Sequence, residues 1–357
     1  MYLRSLALTD FRCLRELLLE PDPEGVTVVT GANGTGKTSV LEAVAYLATQ
    51  QSFRGVPREA LVRVGATAAV VRGVAVEGER AVSIDAEVST VARSRTLVNS
   101  QPVRRRSDLD DALRATVFAP EDTEVVRGGP AARRHFLDET LALVDPRQAT
   151  HAETVERVLR QRSALLKRSG GRLVGDLATT LDVWDERLAE AGTALADARE
   201  LLLGRLGPEA TETVGQLTGT PTTVGLGYRR SWDGSLADAL ARGRADDLAR
   251  GTTLVGPHRD EVGLDLDGLP ARTHASQGEQ RTLALALRLA AHRLAAARAG
   301  TPPVLLLDDV FSELDHGRAS ALLASVPPGQ TLLTTAVPPP TAVPVAATVV
   351  LGRVGDR

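Results

Sequence analysis

The sequence predicts an α/β fold: a sheet-and-helix head in two lobes with an inserted, mainly helical arm. Three observations carry this. A β-branched run, Val26-Thr27-Val28-Val29, leads into a glycine-rich segment and then into helical spacing at Val40, Leu41, Val44, Ala45 and Leu47. Far downstream, Pro303-Val304-Leu305-Leu306-Leu307 is a continuous apolar run ending in Asp308-Asp309, the pattern of a buried parallel strand. Between them, from about Pro120 to Arg244, apolar residues recur at helical intervals, as at Val155, Val158, Leu165, Leu166, Leu181, Trp184, Leu188 and Leu195. The length of 357 residues suits two packed units or one large α/β unit carrying an insertion.

Taken in order, lobe I is expected over 1–118, with strands over Leu3–Leu8, Val26–Thr30, Ala68–Val76 and Val82–Val88; the arm over 119–245; and lobe II over 246–357. Gly170-Gly171 predicts a helix–helix turn in the arm. No heptad pattern persists, so the arm is expected to be short rather than a long coiled coil. Pro338-Pro339-Pro340 follows an apolar run ending at Val337, and is expected to stop that strand and begin a C-terminal loop.

Composition narrows the function classes. With 43% hydrophobic and 24% charged residues, a mainly disordered or fibrous chain is excluded. No apolar run approaches the roughly 18–20 residues that span a bilayer, and the first ten residues contain Arg4 and Asp10 instead of a signal segment. The single cysteine, Cys13, forms neither an internal disulfide nor a zinc site alone. A cytoplasmic protein without a membrane partner is expected. A net charge of -3 restricts any nucleic-acid surface to a local patch. Of 42 basic residues only Lys37 and Lys167 are lysines, a bias that codon usage explains and that makes the lysine at position 37 informative.

Gly31-Ala32-Asn33-Gly34-Thr35-Gly36-Lys37-Thr38, followed by Ser39, matches the phosphate-loop pattern at every fixed place, with strand and helix on the correct sides. Glycines let backbone N–H groups face phosphates, the helix N-terminus adds partial positive charge, Lys37 reaches the β/γ-phosphates, and Thr38 offers a hydroxyl to Mg²⁺. ATP with Mg²⁺ is therefore the expected cofactor. At the downstream strand end, Asp308 is expected to hold the metal, and Asp309 to orient or deprotonate the attacking water. Lys37 and Asp309 are the expected catalytic pair. Ser276-Gln277-Gly278-Glu279-Gln280-Arg281 precedes a long Ala/Leu-rich helix; alone it can also be read as a capping box from Ser276 to Glu279. In this position it resembles the signature of ABC-type ATPases, whose serine closes over the nucleotide held by a second copy.

About 240 residues separate Thr38 from Ser276, much more than in transporter ATPases. With that insertion the chain resembles the RecF family of bacterial recombination-repair ATPases, related to SMC heads, over nearly its whole length. The resemblance rests on Leu8-Thr9-Asp10-Phe11-Arg12, the phosphate loop, Gln51-Ser52-Phe53-Arg54 and Val98-Asn99-Ser100-Gln101-Pro102-Val103. It continues through Val117-Phe118-Ala119-Pro120-Glu121-Asp122, Gly128-Gly129-Pro130 with Arg133-Arg134-His135-Phe136-Leu137-Asp138, Leu254 to Asp260, the signature, and Leu307 to Asp315. It implies a P-loop ABC-type head and an ATP-dependent homodimer that binds duplex, gapped and junction DNA. It also implies slow ATP hydrolysis and work with RecR and RecO to place RecA, on the nucleoid in the cytoplasm. By position it makes Ser276 the residue acting in trans, Asp315 part of the loop contacting the opposite nucleotide, and Arg54 a residue facing phosphate or DNA. Two departures stand out: Leu333-Thr334-Thr335-Ala336-Val337 lacks the acid the family tends to carry there, which implies one polar contact fewer near the γ-phosphate, and no glutamine lies near Ala119-Pro120.

From Val88 to Ser107 five arginines, Arg93, Arg95, Arg104, Arg105 and Arg106, occur without an acid, reading either as a phosphate-binding surface or as a solvated hairpin face. Further candidates are Arg133, Arg134, Arg157, Arg160, Arg162, Lys167 and Arg168. Trp184 and Trp232 are expected to be core anchors. A transporter-energising ATPase and a nuclease-linked ATPase are the competing readings. The long insertion and Ser-Gln-Gly-Glu-Gln speak against the first, and the lack of a separate acidic cluster against the second.

Overall fold

The computed structural model describes residues 1–105, 107–172, 176–311, 316–337 and 345–352. Arg106, Asp315 and the three prolines at 338–340 lie outside these described residues. Along the chain, β1 (Tyr2–Phe11), β2 (Leu14–Leu19) and β3 (Val26–Thr30) precede α1 (Lys37–Thr49). Then come β4 (Ala68–Glu77), β5 (Arg80–Ser89), β6 (Arg95–Val98), β7 (Gln101–Pro102), α2 (Ser107–Asp110) and β8 (Ala115–Phe118). A helical stretch follows: α3 (Glu124–Arg127), α4 (Pro130–Val144), α5 (Pro146–Arg168) and α6 (Leu177–Thr218), with β9 (Val224–Arg229) and α7 (Leu236–Arg250) behind it. The remaining elements are β10 (Glu261–Leu266), β11 (Leu269–Pro270), α8 (Ala271–His274), α9 (Gln277–Ala299), β12 (Val304–Leu307), α10 (His316–Ser325), β13 (Thr331–Thr335) and β14 (Val345–Val350). Every strand expected in the first hundred residues is present, and Gly170-Gly171 falls in the connection between α5 and α6 with both glycines in the left-handed region.

By packing, the chain divides into two compact units. One comprises Met1–Asp122, Thr213–Thr220 and the described part of Leu285–Arg357; the other comprises Thr123–Glu212 and Pro221–Ala284. Residues 246–284, expected with lobe II, thus pack in the same unit as most of the expected arm.

The first unit holds an antiparallel sheet, β2-β1-β4-β5-β6-β7, and a parallel sheet, β14-β3-β13-β12-β8. Helix α1 is buried from Ser39 to Ala48, as a helix apolar nearly all round must be. Its Leu41, Val44 and Leu47 share one core cluster with Leu3, Phe11 and Ile84 of the first sheet and with Leu306 and Leu332 of the second. The approach is close at Gly73, where a Cβ would sit 2.6 Å from Leu47 Cδ1, so any larger residue would push the helix off the strand. The parallel register sets β3, β13, β12 and β8 level at their carboxyl ends: Thr30 faces Thr335, Leu307 faces Leu333, and Leu307 faces Phe118 on the other side. The expected C-terminal loop is corrected in part: Val345–Val350 is a strand, parallel to β3. Its alternating half-buried and exposed residues suit a sheet edge, and prolines interrupt a ladder only where they stand.

In the second unit α4 to α7 accompany the three-stranded sheet β11-β10-β9. Arg162 is fully buried there; its Nε donates to Asp185 at 2.6 Å, and its Nη1 donates to Asp247 at 2.6 Å and to Thr253 Oγ1 at 2.8 Å. Arg244 also donates to Asp185, at 2.6 Å. Burial still pushes the Asp247 carboxyl above its ordinary range, against the pull of Arg162. Arg162 is therefore a core cation, not a DNA contact. Its replacement by methionine strips both buried carboxylates of this partner. The expected cost is about 3–5 kcal/mol, read as a lower urea midpoint, and pairing it with Asp247→Asn is expected to recover part of the loss.

Candidate functional site

The carboxyl edge of the parallel sheet gathers the chemistry. After β3 the loop from Gly31 to Thr38 turns back sharply, with Gly31, Gly34 and Gly36 all at positive φ. Gly36, at φ 97°, is the N-cap of α1, and a Cβ there would lie 2.7 Å from Leu14 Cδ2 and 3.0 Å from Cys13 Sγ. Glycine is needed at this position for both dihedral and space. Thr35 tightens the turn by donating to Ala32 O at 2.9 Å, while Ala32, Asn33 and Gly34 stay exposed and Ser39 is buried. The Lys37 ammonium folds back over the loop, donating to Gly31 O at 2.9 Å and Ala32 O at 3.0 Å.

Asp308, the first residue beyond β12, is buried. Its Oδ1 accepts from Thr38 Oγ1 at 2.9 Å and from Thr334 Oγ1 at 2.6 Å. Burial raises its carboxyl above the ordinary value; the two hydroxyl donors pull it back, while the nearby Asp309 and Glu121 carboxylates push the same way as burial. Asp309 stands at φ 46°, a left-handed conformation that aspartate tolerates better than most residues, and its N–H donates to Thr334 Oγ1 at 3.0 Å. Asp308 N–H in turn donates to Phe118 O at 2.8 Å, fixing the acidic corner to β8. The structure thus brings the phosphate loop and both expected carboxylates to one edge. Thr38 and Asp308 face each other as two hard oxygen donors, the set that suits a magnesium ion completed by phosphate oxygens.

Three further groups of the site carry no signal in the sequence alone. Thr334 is one: in the segment that lacks the family's acid, it supplies the hydroxyl that holds both Asp308 and Asp309. Glu42 of α1 is another, fully buried and gripped by Arg12 Nε at 2.7 Å and Nη2 at 2.6 Å, with Ser52 Oγ donating to it as well. Arg12 also donates to Ala60 O at 2.9 Å, and the Arg54 N–H to Ser52 Oγ at 3.1 Å, so the Phe11-Arg12 and Gln51–Arg54 motifs meet on the phosphate-loop helix. Glu121 is the third, an exposed acid just beyond β8.

At the signature, Ser276 N–H donates to Glu279 Oε2 at 2.8 Å and Glu279 N–H to Ser276 Oγ at 3.3 Å; the capping box forms. Ser276, Gln277 and Glu279 are exposed, Gly278 is half-buried, and Gln280 is turned back on the carbonyls of Arg272 and Ala275. Of the basic candidates, Arg54, Arg93, Arg95, Arg104 and Arg105 are exposed, and Arg95 also pairs across the strands with Glu87 at 2.7 Å. Arg133 is buried against Glu261 at 2.6 Å and Arg134 donates to Asp260 O at 2.7 Å, so both are structural. His258, with its ring pKa lowered to about 4 mainly by burial, is neutral at pH 7 and bonded to Thr253 O. Trp232 is a core residue as expected, but Trp184 is only half-buried. Among the described residues no helix is long and apolar enough to cross a membrane.

A family model described as the RecF/RecN/SMC N terminal domain matches residues 2–331. The chain is 43% identical, over 357 residues, to the DNA replication and repair protein RecF of Frankia alni, covering 94% of this chain and 93% of that one. Its identity to the protein of the same name from Acidothermus cellulolyticus is 42%, with the same coverage. Among solved structures it resembles the recombination mediator protein RecF of the RecFOR pathway in its ATP form, with a TM-score of 0.86 and 28% identity over 94% of this chain and 92% of that one. An Smc head bound to the C-winged helix domain of ScpA, 15% identical with a TM-score of 0.56 over 94% of this chain and 90% of that one, shares the fold.

The raised pKa of Asp308 has a stability consequence. Because its folded value lies above its unfolded one, ionising it in the fold is a cost, present at neutral pH and relieved as pH falls through the folded value. Asp308→Asn keeps an oxygen for Thr38 and Thr334 but removes that charge. The nucleotide-free variant is expected to unfold at higher urea than wild type at pH 7.5, with the gap narrowing as pH falls through the folded value of Asp308. A variant less stable at pH 7.5 would mean that the hydroxyl donors outweigh burial.

Proposed function

We infer function from kinship: the chain belongs to the RecF family of DNA replication and repair proteins, within the wider RecF/RecN/SMC N-terminal domain family. It is an ATP-binding head of the ABC type, and we propose that it is an ATP-switched homodimer that binds duplex, gapped and junction DNA. The observation that carries this reading is the convergence of Thr38 and Thr334 on Asp308 beside an intact phosphate loop. In this reading residues 1–118 and 246–357 are the lobes of the head and 119–245 its arm.

The loop from Gly31 to Ser39 holds the phosphates, and Lys37, released from the Gly31 and Ala32 carbonyls, neutralises the β/γ-phosphate charge. Thr38 and Asp308 hold Mg²⁺, which neutralises charge developing on the phosphates. Among the described residues no group of three or more His, Cys, Asp or Glu side chains could hold a metal by itself, in keeping with a cation that shares phosphate oxygens. Asp309, aimed by its left-handed backbone and the Thr334 bond, orients the attacking water and accepts its proton in slow hydrolysis. Ser276 to Gln280, exposed at the start of α9, close over the nucleotide of a second copy, with Asp315 in the loop that meets it. Arg54, Arg93, Arg104, Arg105 and Arg106 contact DNA backbone; Arg95, already paired with Glu87, contributes least. RecR and RecO are the protein partners and RecA the indirect client, in the cytoplasm on the nucleoid.

The test is equilibrium binding to a gapped duplex at fixed salt, with or without ATP and Mg²⁺. ATP is expected to tighten wild-type binding by about tenfold or more, equivalent to about 1.4 kcal/mol of coupling. Ser276→Arg should bind ATP without dimerising or responding, and Lys37→Ala should not bind ATP. Asp309→Asn should slow turnover on the order of a hundredfold while ATP-bound dimers accumulate. If ATP changes DNA affinity in none of these proteins, the client of the head is not DNA.

A further inference from the structure

Within the second unit, a groove between α5 and α6 has a cavity volume of about 480 Å³, in the range of sites that enclose a side chain or small ligand. Val158 and Ala191 form its buried floor, half-buried Ala194 and the half-buried Trp184 ring give it accessible apolar carbon, and Arg157 and Arg187 bring charge. The Arg187 guanidinium lies 5.2 Å from the centroid of the Trp184 ring. Neither arginine has an ion-pair partner among the described residues, although neighbours on the same helices do: Arg160 pairs with Glu156, Arg162 with Asp185 and Asp247, and Arg199 with Asp138. The lining contains one carboxylate, Glu190, against these two guanidiniums.

We propose that this groove docks an acidic peptide segment of a partner protein, seating one apolar or aromatic side chain against Ala194 and the Trp184 ring and its carboxylates on Arg157 and Arg187. Charge complementarity selects an anion, and guanidiniums beside an aromatic ring are strong anchors when desolvated by a partner. The aliphatic lining selects a side chain over a phosphodiester run. A nucleic-acid strand is a poorer fit, because the one aromatic ring in the lining already carries a guanidinium and is not free to stack a base. None of these residues belongs to the nucleotide site, so the inference stands apart from the ATPase reading.

The experiment is selection of a random peptide library against the full chain, with the Arg157→Glu/Arg187→Glu protein as counter-target. A far-UV circular dichroism spectrum and a urea midpoint unchanged from wild type serve as that variant's folding check. Enriched sequences are expected to carry at least two Asp or Glu residues around one aromatic or branched aliphatic residue. Synthetic copies should bind wild type about tenfold or more tighter than the charge-reversed protein, and shift a tryptophan fluorescence signal that disappears in Trp184→Phe. Enrichment of basic or uncharged sequences, equal binding to the charge-reversed protein, or no enrichment at all would overturn the proposal. Oligothymidylate binding lost in the charge-reversed protein would instead assign the groove to single-stranded nucleic acid.

Discussion

One buried carboxylate governs the architecture of the head. Asp308 sits where water cannot solvate it, and two hydroxyls, on Thr38 and Thr334, are the direct compensation the protein gives it. Those hydroxyls come from α1 and β13, and the adjacent N–H is tied to β8. The corner therefore exists only if four parallel strands end level and α1 begins at the correct height. The packing of Leu41, Val44 and Leu47 between two sheets sets that height, and the glycines at 36 and 73 permit the close approaches it requires. The hydroxyls offset only part of the cost of burial, which still holds the carboxyl above its ordinary range, and that remaining cost is one a cation bound at this corner would relieve.

Many of the segments that mark the family turn out to be scaffolding. Arg134, Asp138 and Asp260 belong to one connected set of ion pairs and hydrogen bonds with Arg199 and Tyr228 in the second unit, and Arg133 forms a separate pair with Glu261 there. Arginine suits this role because its fork satisfies two acceptors at once and is less strongly hydrated than an ammonium. A chain with 42 basic residues and only two lysines can thus place many cations in its interior and still present exposed ones elsewhere.

What could be read from the sequence was local. The phosphate loop and the Asp308-Asp309 strand end are legible because their chemistry depends on neighbours a few residues apart, and the strand and helix periods around them are strong. Thr334 was visible as a residue but not as a partner, since its bond to Asp308 crosses between strands 26 positions apart. Glu42 looked like one polar residue on an apolar helix; its partners at Arg12 and Ser52 come from separate segments. Trp184 follows the helical period of the core, yet period alone does not say whether a neighbouring helix covers it. Strand β14 lies beyond three prolines, and prolines report a break in one ladder without specifying the pairing of the chain after them.

The clasp of Arg12 and Ser52 on Glu42 bears on how such a chain can vary over time. Loss of either donor leaves the buried acid exposed to its own desolvation penalty, and loss of the acid strands a guanidinium whose Nη1 is still held by the Ala60 carbonyl. Single replacements at these positions pass through an unstable intermediate, whereas a joint exchange does not. The three residues, spread over forty positions of the chain, are thereby linked in inheritance: lineages are expected to keep all three or to change them in concert, and a chimaera joining a β1 turn to a foreign α1 would fail at this seam before any loss at the phosphate loop was felt.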